Sequence, residues 1–321
     1  MPLLLCSGQH TTLLAGTPAE TDLHGAESLD LPSDGQVFRW LWDAERALRR
    51  AYDRWPLSLV VVQGDTMTAL AAARAARSAE LPVAHVEAGI RSHHEEPWPE
   101  EAFRVEIDAL ASVHYAPTAT AAENLAAEGI ATSLVTGNTG VSAIARYSKA
   151  TPVRESSPTI FVTMHRREFL ASGGLPAFLE ALAQAARDHP ECQYVWPMHP
   201  GVLAQIRQPL PTGPNLRIVE PFPYAVCITG LPLCQGVMTD SGGLQEDAAT
   251  LGVPCAVLRN VTDRPESIAA GVARLYPPTA QGLLDAATAL ANRSIRRQAV
   301  EVFGTPLAAQ LVADDLVQRA A

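Results

Sequence analysis

The sequence predicts an α/β protein built from two Rossmann-like domains with doubly wound parallel sheets, on three observations. Short β-branched or apolar runs alternate with Ala- and Leu-rich helical stretches along the chain, the rhythm of parallel strands joined by crossover helices. At 321 residues, 47% of them hydrophobic, the chain can bury more than one ordinary core. One stretch, 145–158 (ARYSKATPVRESSP), breaks the rhythm with polar, Pro-containing, mixed-charge composition and reads as a linker. The expected domains are therefore 1–147 and 158–321, with ligands in an interdomain cleft at the carboxyl ends of the strands.

In the first domain, strands are expected near 3–6, 58–62 (SLVVV), 82–86 (PVAHV), 112–116 (SVHYA) and 133–136. Each is a short β-branched or apolar run bounded by polar or turn residues. Helices are expected near 36–54, 66–79, 100–111 and 119–128. In the second domain the strands fall near 159–163 (TIFVT), 192–196 (CQYVW), 216–219, 236–239 (GVMT), 254–258 (PCAVL) and 272–275. The helices fall near 175–188, 223–231, 243–251 and 280–291.

Composition excludes several classes of function. A net charge of −10 and 6% aromatic residues argue against a nucleic-acid backbone as partner, so any phosphate site must be built locally from a few Arg and His side chains. The five cysteines, Cys6, Cys192, Cys227, Cys234 and Cys255, are odd in number and scattered, giving neither a disulfide framework nor a paired zinc motif. The opening apolar run has no basic flank and is too short for a signal or a membrane span, so a reduced cytoplasmic location is expected. No P-loop and no Gly-x-Ser-x-Gly elbow occurs.

Chemistry-bearing residues cluster at the expected strand ends. They are Asp65 after the second strand, Glu87 and Arg91 after the third, His165 and Arg166 after TIFVT, His199 after CQYVWP, and Arg259 with Asp263 and Arg264 after PCAVL. After GVMT come Asp240, Ser241, Gly242 and Gly243, running directly into a helix that carries Glu246 and Asp247. Small residues between a strand and a helix leave backbone N–H groups at the positive end of the helix dipole, a seat for an anion such as phosphate. An Asp after a strand is commonly only a helix N-cap, but six strand ends in succession with Asp, Glu, His or Arg exceed what turns require.

In PWPEEAFRVEIDALA (97–111), Phe103, Ile107 and Leu110 make the buried face of a helix, and Glu100 and Arg104 share another face near its start. That pair reads equally as an exposed ion pair or as a proton-transferring carboxylate beside a phosphate-holding guanidinium. The run His93-His94-Glu95-Glu96 reads as a solvated loop rather than a metal site, and no metal is expected.

These segments resemble a known family. VVVQGDTMTALAAARAARSAELPVAHVEAGIRS (60–92), PWPEEAFR (97–104), TGNT (136–139), TMHRRE (163–168) and TDSGGLQEDAATLGVPCAVLRNVTDRPES (239–267) are similar, in order and spacing, to the non-hydrolysing UDP-N-acetylglucosamine 2-epimerases. The resemblance implies two domains in the glycosyltransferase-B (GT-B) arrangement, and a homodimer that interconverts UDP-GlcNAc and UDP-ManNAc with no metal or cofactor, through loss of UDP to a 2-acetamidoglucal and its re-addition. It implies catalytic roles for Asp65, Glu87, Glu100 and His165. Substrate contacts are implied for Arg104, Arg166, Ser241, Gly242, Gly243, Asp247 and Arg264.

Three departures stand out. Asp247 replaces a Glu expected to hold the ribose, Met164 replaces a small Gly and brings bulk to the turn before the catalytic His, and the chain opens at what resembles the family's second strand, with Ser7-Gly8-Gln9-His10. The strand and helix that carry Gly-Thr-Arg-Pro-Glu in the family have no counterpart before it, so a late recorded start or an impaired relative is expected. The rival readings are a hydrolysing epimerase that releases ManNAc and UDP, a non-catalytic UDP-sugar-binding subunit, and a glycosyltransferase.

Overall fold

Alanine sets the spacing of the first sheet. Helix α2 (Met67–Ser78) buries Ala69, Ala71, Ala72, Ala73, Ala75 and Ala76, and side chains this small let it lie close both to the sheet and to helix α1 (Val37–Tyr52). The computed structural model describes residues 3–7, 26–29, 31, 37–95, 97–148, 158–166, 169 and 174–320. The chain divides into two units, Met1–Asn138 with Leu307–Ala321, and Thr139–Pro306.

The first unit carries a parallel sheet in the order β3-β4-β5-β6, formed by Val60–Gln63, Val83–Val86, Val113–Ala116 and Leu134–Val135. Helices α3 (Glu100–Leu110) and α4 (Ala119–Ala127) provide its crossovers. A separate parallel pair joins β1 (Leu5–Cys6) and β2 (Glu27–Ser28). Among the described residues no ladder links this pair to β3. Gly8, Gln9 and His10 lie outside the described residues.

The second unit has six parallel strands in the order β12-β11-β10-β7-β8-β9: β7 Thr159–Thr163, β8 Gln193–Pro197, β9 Leu216–Val219, β10 Gly236–Thr239, β11 Cys255–Leu258 and β12 Ala273–Tyr276. The chain adds strands outward from β7 to β9, then returns to place β10 on the other side of β7, with Thr239 opposite Thr163. Strand order therefore reverses between β7 and β10, and in open α/β sheets the crevice at the carboxyl ends of two such strands is where ligands bind. One sheet face packs against α6 (Leu175–Asp188) and α11 (Ala280–Ala291) through Ile160, Val162, Tyr194, Trp196 and Met238. The other packs under α9 (Gly242–Leu251) through Val237, Cys255 and Val257.

The boundary differs from a cut at the 145–158 linker, residues 149–157 of which lie outside the described residues. Helix α5 (Thr139–Tyr147) belongs to the second unit because Val141 packs with Ala249, Val272 and Phe303, and the Tyr147 ring meets Tyr224 edge-on at 6.4 Å. The last helix, α12 (Ala308–Ala320), returns to the first unit. There Val312 joins Ala84, Val86, Val113 and Tyr115, and the Tyr115 hydroxyl donates to Asp315 at 2.7 Å. Placing a carboxylate at the buried Val312 position should therefore loosen the first sheet. Val312→Asp is expected to lower stability by roughly 2–3 kcal/mol, measured by urea denaturation.

Candidate active-site residues at two sets of strand ends

In the second unit, the turn after β10 is organised around one buried carboxylate. Asp240 is 1% exposed, and its Oδ2 accepts the backbone N–H groups of His165 at 2.7 Å and Arg166 at 2.8 Å, both from the loop after β7. Arg166 Nε donates to the Asp240 carbonyl at 2.8 Å, closing the junction from the other direction. The His165 ring places Nδ1 3.1 Å from Asp240 Oδ1, at ion-pair distance but off the line of a hydrogen bond, and leaves the ring half exposed. Burial alone would raise the Asp240 carboxyl. The imidazole and the two amides outweigh it and hold the group below the usual carboxylate range.

Helix α9 starts directly behind this junction. Ser241 is its N-cap, its hydroxyl accepting from the Leu244 N–H at 3.4 Å, and Thr239, paired to Thr163 at 2.6 Å, accepts the Ser241 N–H at 3.0 Å. Gly242 and Gly243 supply the first amides of the helix, which no residue of the helix itself can accept. Gly243 faces open space, whereas a Cβ on Gly242 would lie 3.4 Å from the Arg264 guanidinium.

A cluster of cations lies around this start. Arg264 is buried, with Nε on Glu246 and Nη1 3.2 Å from Asp263. Arg259 pairs with Asp263 at 2.7 Å, while its Nη2 is buried with no hydrogen-bond partner among the described residues. Burial first, then the neighbouring Arg166 and Arg264, pull the Arg259 guanidinium below its ordinary value against the pull of Asp263. Crowded guanidinium groups beside a helix N-terminus favour an anion. Asp247, half-buried, accepts the Tyr224 hydroxyl at 3.2 Å, and burial pushes its carboxyl up to about 7 despite that bond.

In the first unit a second buried carboxylate has the same part. Asp108, on α3, accepts from His85 Nδ1 at 2.6 Å, from the Gly89 N–H at 3.0 Å and from Arg91 at 2.7 Å. Nε2 of His85 lies 3.0 Å from the Gly64 carbonyl, and Arg91 also grips Glu128 through two hydrogen bonds of 2.8 and 2.7 Å. The His85–Asp108 pair thus ties the loop after β3, which carries Asp65, to the loop after β4, which carries Glu87. Burial would raise Asp108, but His85 and Arg91 outweigh it and its carboxyl is held low.

Glu87 has φ = 69°, a left-handed conformation that a side chain other than glycine rarely adopts, and its Oε1 accepts from Gln63 Nε2 at 3.0 Å. Gly89 cannot carry a side chain, since at φ = 80° its Cβ would lie 2.1 Å from the Ala121 carbonyl oxygen. Arg104 is 4% exposed and binds two carboxylates, donating from Nε to Asp65 at 2.8 Å and from Nη1 to Glu101 at 3.1 Å. Glu101 in turn accepts the backbone N–H groups of Ser92 at 3.0 Å and His93 at 3.2 Å.

The structure sets His165, Arg166, Ser241, Gly242, Gly243, Asp247 and Arg264 after β7, after β10, on α9 and after β11 in the second unit, and Asp65, Glu87, Glu100 and Arg104 after β3, after β4 and on α3 in the first. Three side chains have surroundings that spacing does not suggest. Arg104 is buried rather than exposed, its guanidinium bound by Asp65 and Glu101. Arg264 is likewise engaged by Glu246 and Asp263. Met164 does not crowd the turn before His165, since its side chain is 1% exposed within the α6-side core. Spacing does not single out Asp108, His85 or Glu101 as organisers of these loops. For His85 the signal is only a polar residue interrupting an apolar run, VAHV.

A family model described as UDP-N-acetylglucosamine 2-epimerase matches residues 3–317. The chain belongs to this family. The UDP-N-acetylglucosamine 2-epimerase of Escherichia coli strain K12 is 35% identical over 271 residues, covering 77% of this chain and 71% of that protein. The Neisseria meningitidis epimerase solved with UDP-GlcNAc bound superposes with a TM-score of 0.85 at 28% identity, over 97% of this chain and 90% of the other. The Methanocaldococcus jannaschii epimerase solved with UDP-GlcNAc and UDP gives 0.83 at 28% identity, over 91% and 84%. The fold class is the α/β type with two parallel-sheet units expected from the sequence. Among the described residues no helix is long and apolar enough to cross a membrane.

A testable consequence concerns Asp108. Its carboxyl is depressed in the folded protein, so its contribution to stability is complete above the ordinary carboxylate value and is lost as pH falls through the folded value. Asp108→Asn is expected to lower stability at pH 7 by about 3 kcal/mol and to flatten the acid side of the stability profile, read by urea denaturation at a series of pH values.

Proposed function

We propose that the protein interconverts UDP-GlcNAc and UDP-ManNAc by eliminating UDP and adding it back, without net hydrolysis. The observation that carries this reading is the junction at the switch point between β7 and β10, where Asp240 holds the loop of His165 and Arg166 against the helix start at Ser241–Gly243. In this reading the α9 amides and the nearby guanidinium groups take the diphosphate, and His165 stands beside it. Charge that develops on the leaving UDP oxygen then meets donors already in place, so little reorganisation is needed as the bond breaks.

The first unit supplies proton transfer. A carboxylate removes the proton from C2 of the sugar, the C–H electron pair becomes the C1–C2 double bond, and the C1–O bond breaks toward the β-phosphate. Reversal, with a proton delivered to the opposite face of C2, gives the epimer. Glu100, the first residue of α3, is assigned to proton movement, while Asp65 and Glu87 are held in place by Arg104 and Gln63. A carboxylate at a helix N-terminus interacts favourably with the dipole in its ionised form, the form a base needs. Asp247, with its carboxyl near neutrality, is assigned to the ribose hydroxyls in the place of the family's longer Glu.

Chromatography of an incubation with UDP-GlcNAc tests the reading: a plateau mixture of UDP-GlcNAc and UDP-ManNAc is expected, whereas complete conversion to ManNAc and UDP would mean hydrolysis. Glu100→Gln is expected to lower turnover at least a hundredfold while leaving UDP affinity within a few-fold. His165→Ala should weaken UDP binding in a calorimetric titration, and unchanged binding would remove His165 from the diphosphate site.

A further inference from the structure

At the opposite ends of the second sheet's strands lies a cavity that the epimerase reading does not use. Its volume is about 1050 Å³, at the large end of small-molecule sites, and it opens beside Pro158, Thr159, Gln235 and Pro254, which precede β7, β10 and β11. The phosphate seat described above is at the carboxyl ends of the same strands, so the two are distinct sites.

A short helix forms one wall. Helix α8 (Tyr224–Gly230) packs on α5 and on the short 3₁₀ turn Leu231–Leu233, with Cys227 against the sheet cluster of Phe161 and Val237. The floor beneath it is the apolar face at Phe161 and Val195, and its own Val226 is 53% exposed, with Phe222 at 39% just before it. Exposed apolar side chains that line a concavity, rather than being scattered singly, mark a binding surface.

Charge identifies what would bind. After α11 the chain reads Arg293-Ser294-Ile295-Arg296-Arg297, with Ile295 buried in the core as an anchor. All three arginines line the cavity. In a protein with 34 acidic and 24 basic residues, carboxylates are plentiful, yet none of the three forms an ion pair among the described residues. Arg297 donates instead to the carbonyls of Cys234 and, at 3.1 Å, Gln235, which fixes it on the cavity wall. Arg293, Arg296 and Arg297, grouped without carboxylate partners among the described residues at the mouth of an apolar hollow, match a ligand with an anionic head and an apolar body.

We infer that this cavity binds an amphipathic anion, an apolar chain of about a dozen carbons ending in a phosphate or carboxylate, with its head on the arginine cluster and its chain between α8 and the sheet. Dodecyl phosphate, dodecanoate and inorganic phosphate, each titrated calorimetrically below any micelle concentration, test this. Saturable one-to-one binding of either amphiphile, with inorganic phosphate at least tenfold weaker, is expected, and the preferred amphiphile identifies the head group. Arg293→Glu/Arg296→Glu and, separately, Val226→Asp should each weaken that binding at least tenfold. All three positions are exposed, so melting temperatures close to that of the unaltered protein check the fold. Saturating UDP should not displace the amphiphile. The inference is overturned if neither amphiphile binds saturably, if inorganic phosphate binds as tightly, if either variant binds unchanged, or if UDP competes. None of these outcomes bears on the epimerase reading, which concerns the other ends of the strands.

Discussion

A carboxylate taken out of water must be met by several donors, and that requirement organises the candidate site in both units. Asp240 meets it with two backbone amides from a neighbouring strand's loop and an imidazole. Asp108 meets it with an imidazole, a backbone amide and a guanidinium. In each case the donors come from a segment remote from the carboxylate, so satisfying one buried charge fixes the relative position of segments that sequence separates by 19 to 75 residues. The chemistry-bearing side chains, His165 and Arg166 in one unit and Asp65 and Glu87 in the other, stand on the loops so fixed. Preorganisation of this kind requires that the supporting residues be satisfied before any ligand arrives.

The cations follow a different logic in the two places where they gather. Around α9, Arg259 and Arg264 are buried and largely engaged by Asp263 and Glu246, so they form a rigid positive wall with limited charge to spare. Beside the amides of the helix start, Arg259 keeps a buried Nη2 with no hydrogen-bond partner among the described residues. At the other ends of the strands, Arg293 and Arg296 are exposed and form no ion pair among the described residues, a solvated arrangement.

Much of the fold was legible in the sequence. The strands TIFVT, CQYVW, GVMT and PCAVL and their helices lie within a residue or two of their expected places, because parallel buried strands carry a continuous apolar signal. The boundary was not, because the linker's composition is more conspicuous than the packing of Val141 or Val312 that decides which unit a helix joins. The residues at strand ends could be named from position alone. Their engagements could not: nothing in the spacing of Glu100, Glu101 and Arg104 says that the buried guanidinium turns to Glu101 and to Asp65, far away in sequence. Likewise a His inside the strand VAHV reads as an apolar interruption until Asp108 is seen 2.6 Å from its ring.

The central claim is that the carboxylates held at the first unit's strand ends move a proton at C2 of a UDP-linked sugar. Proton NMR of UDP-GlcNAc incubated with the protein in deuterium oxide reads this directly. The account predicts deuterium at C2 in both the recovered UDP-GlcNAc and the UDP-ManNAc formed. Retention of the C2 proton throughout, with UDP bound at the expected seat, would contradict it.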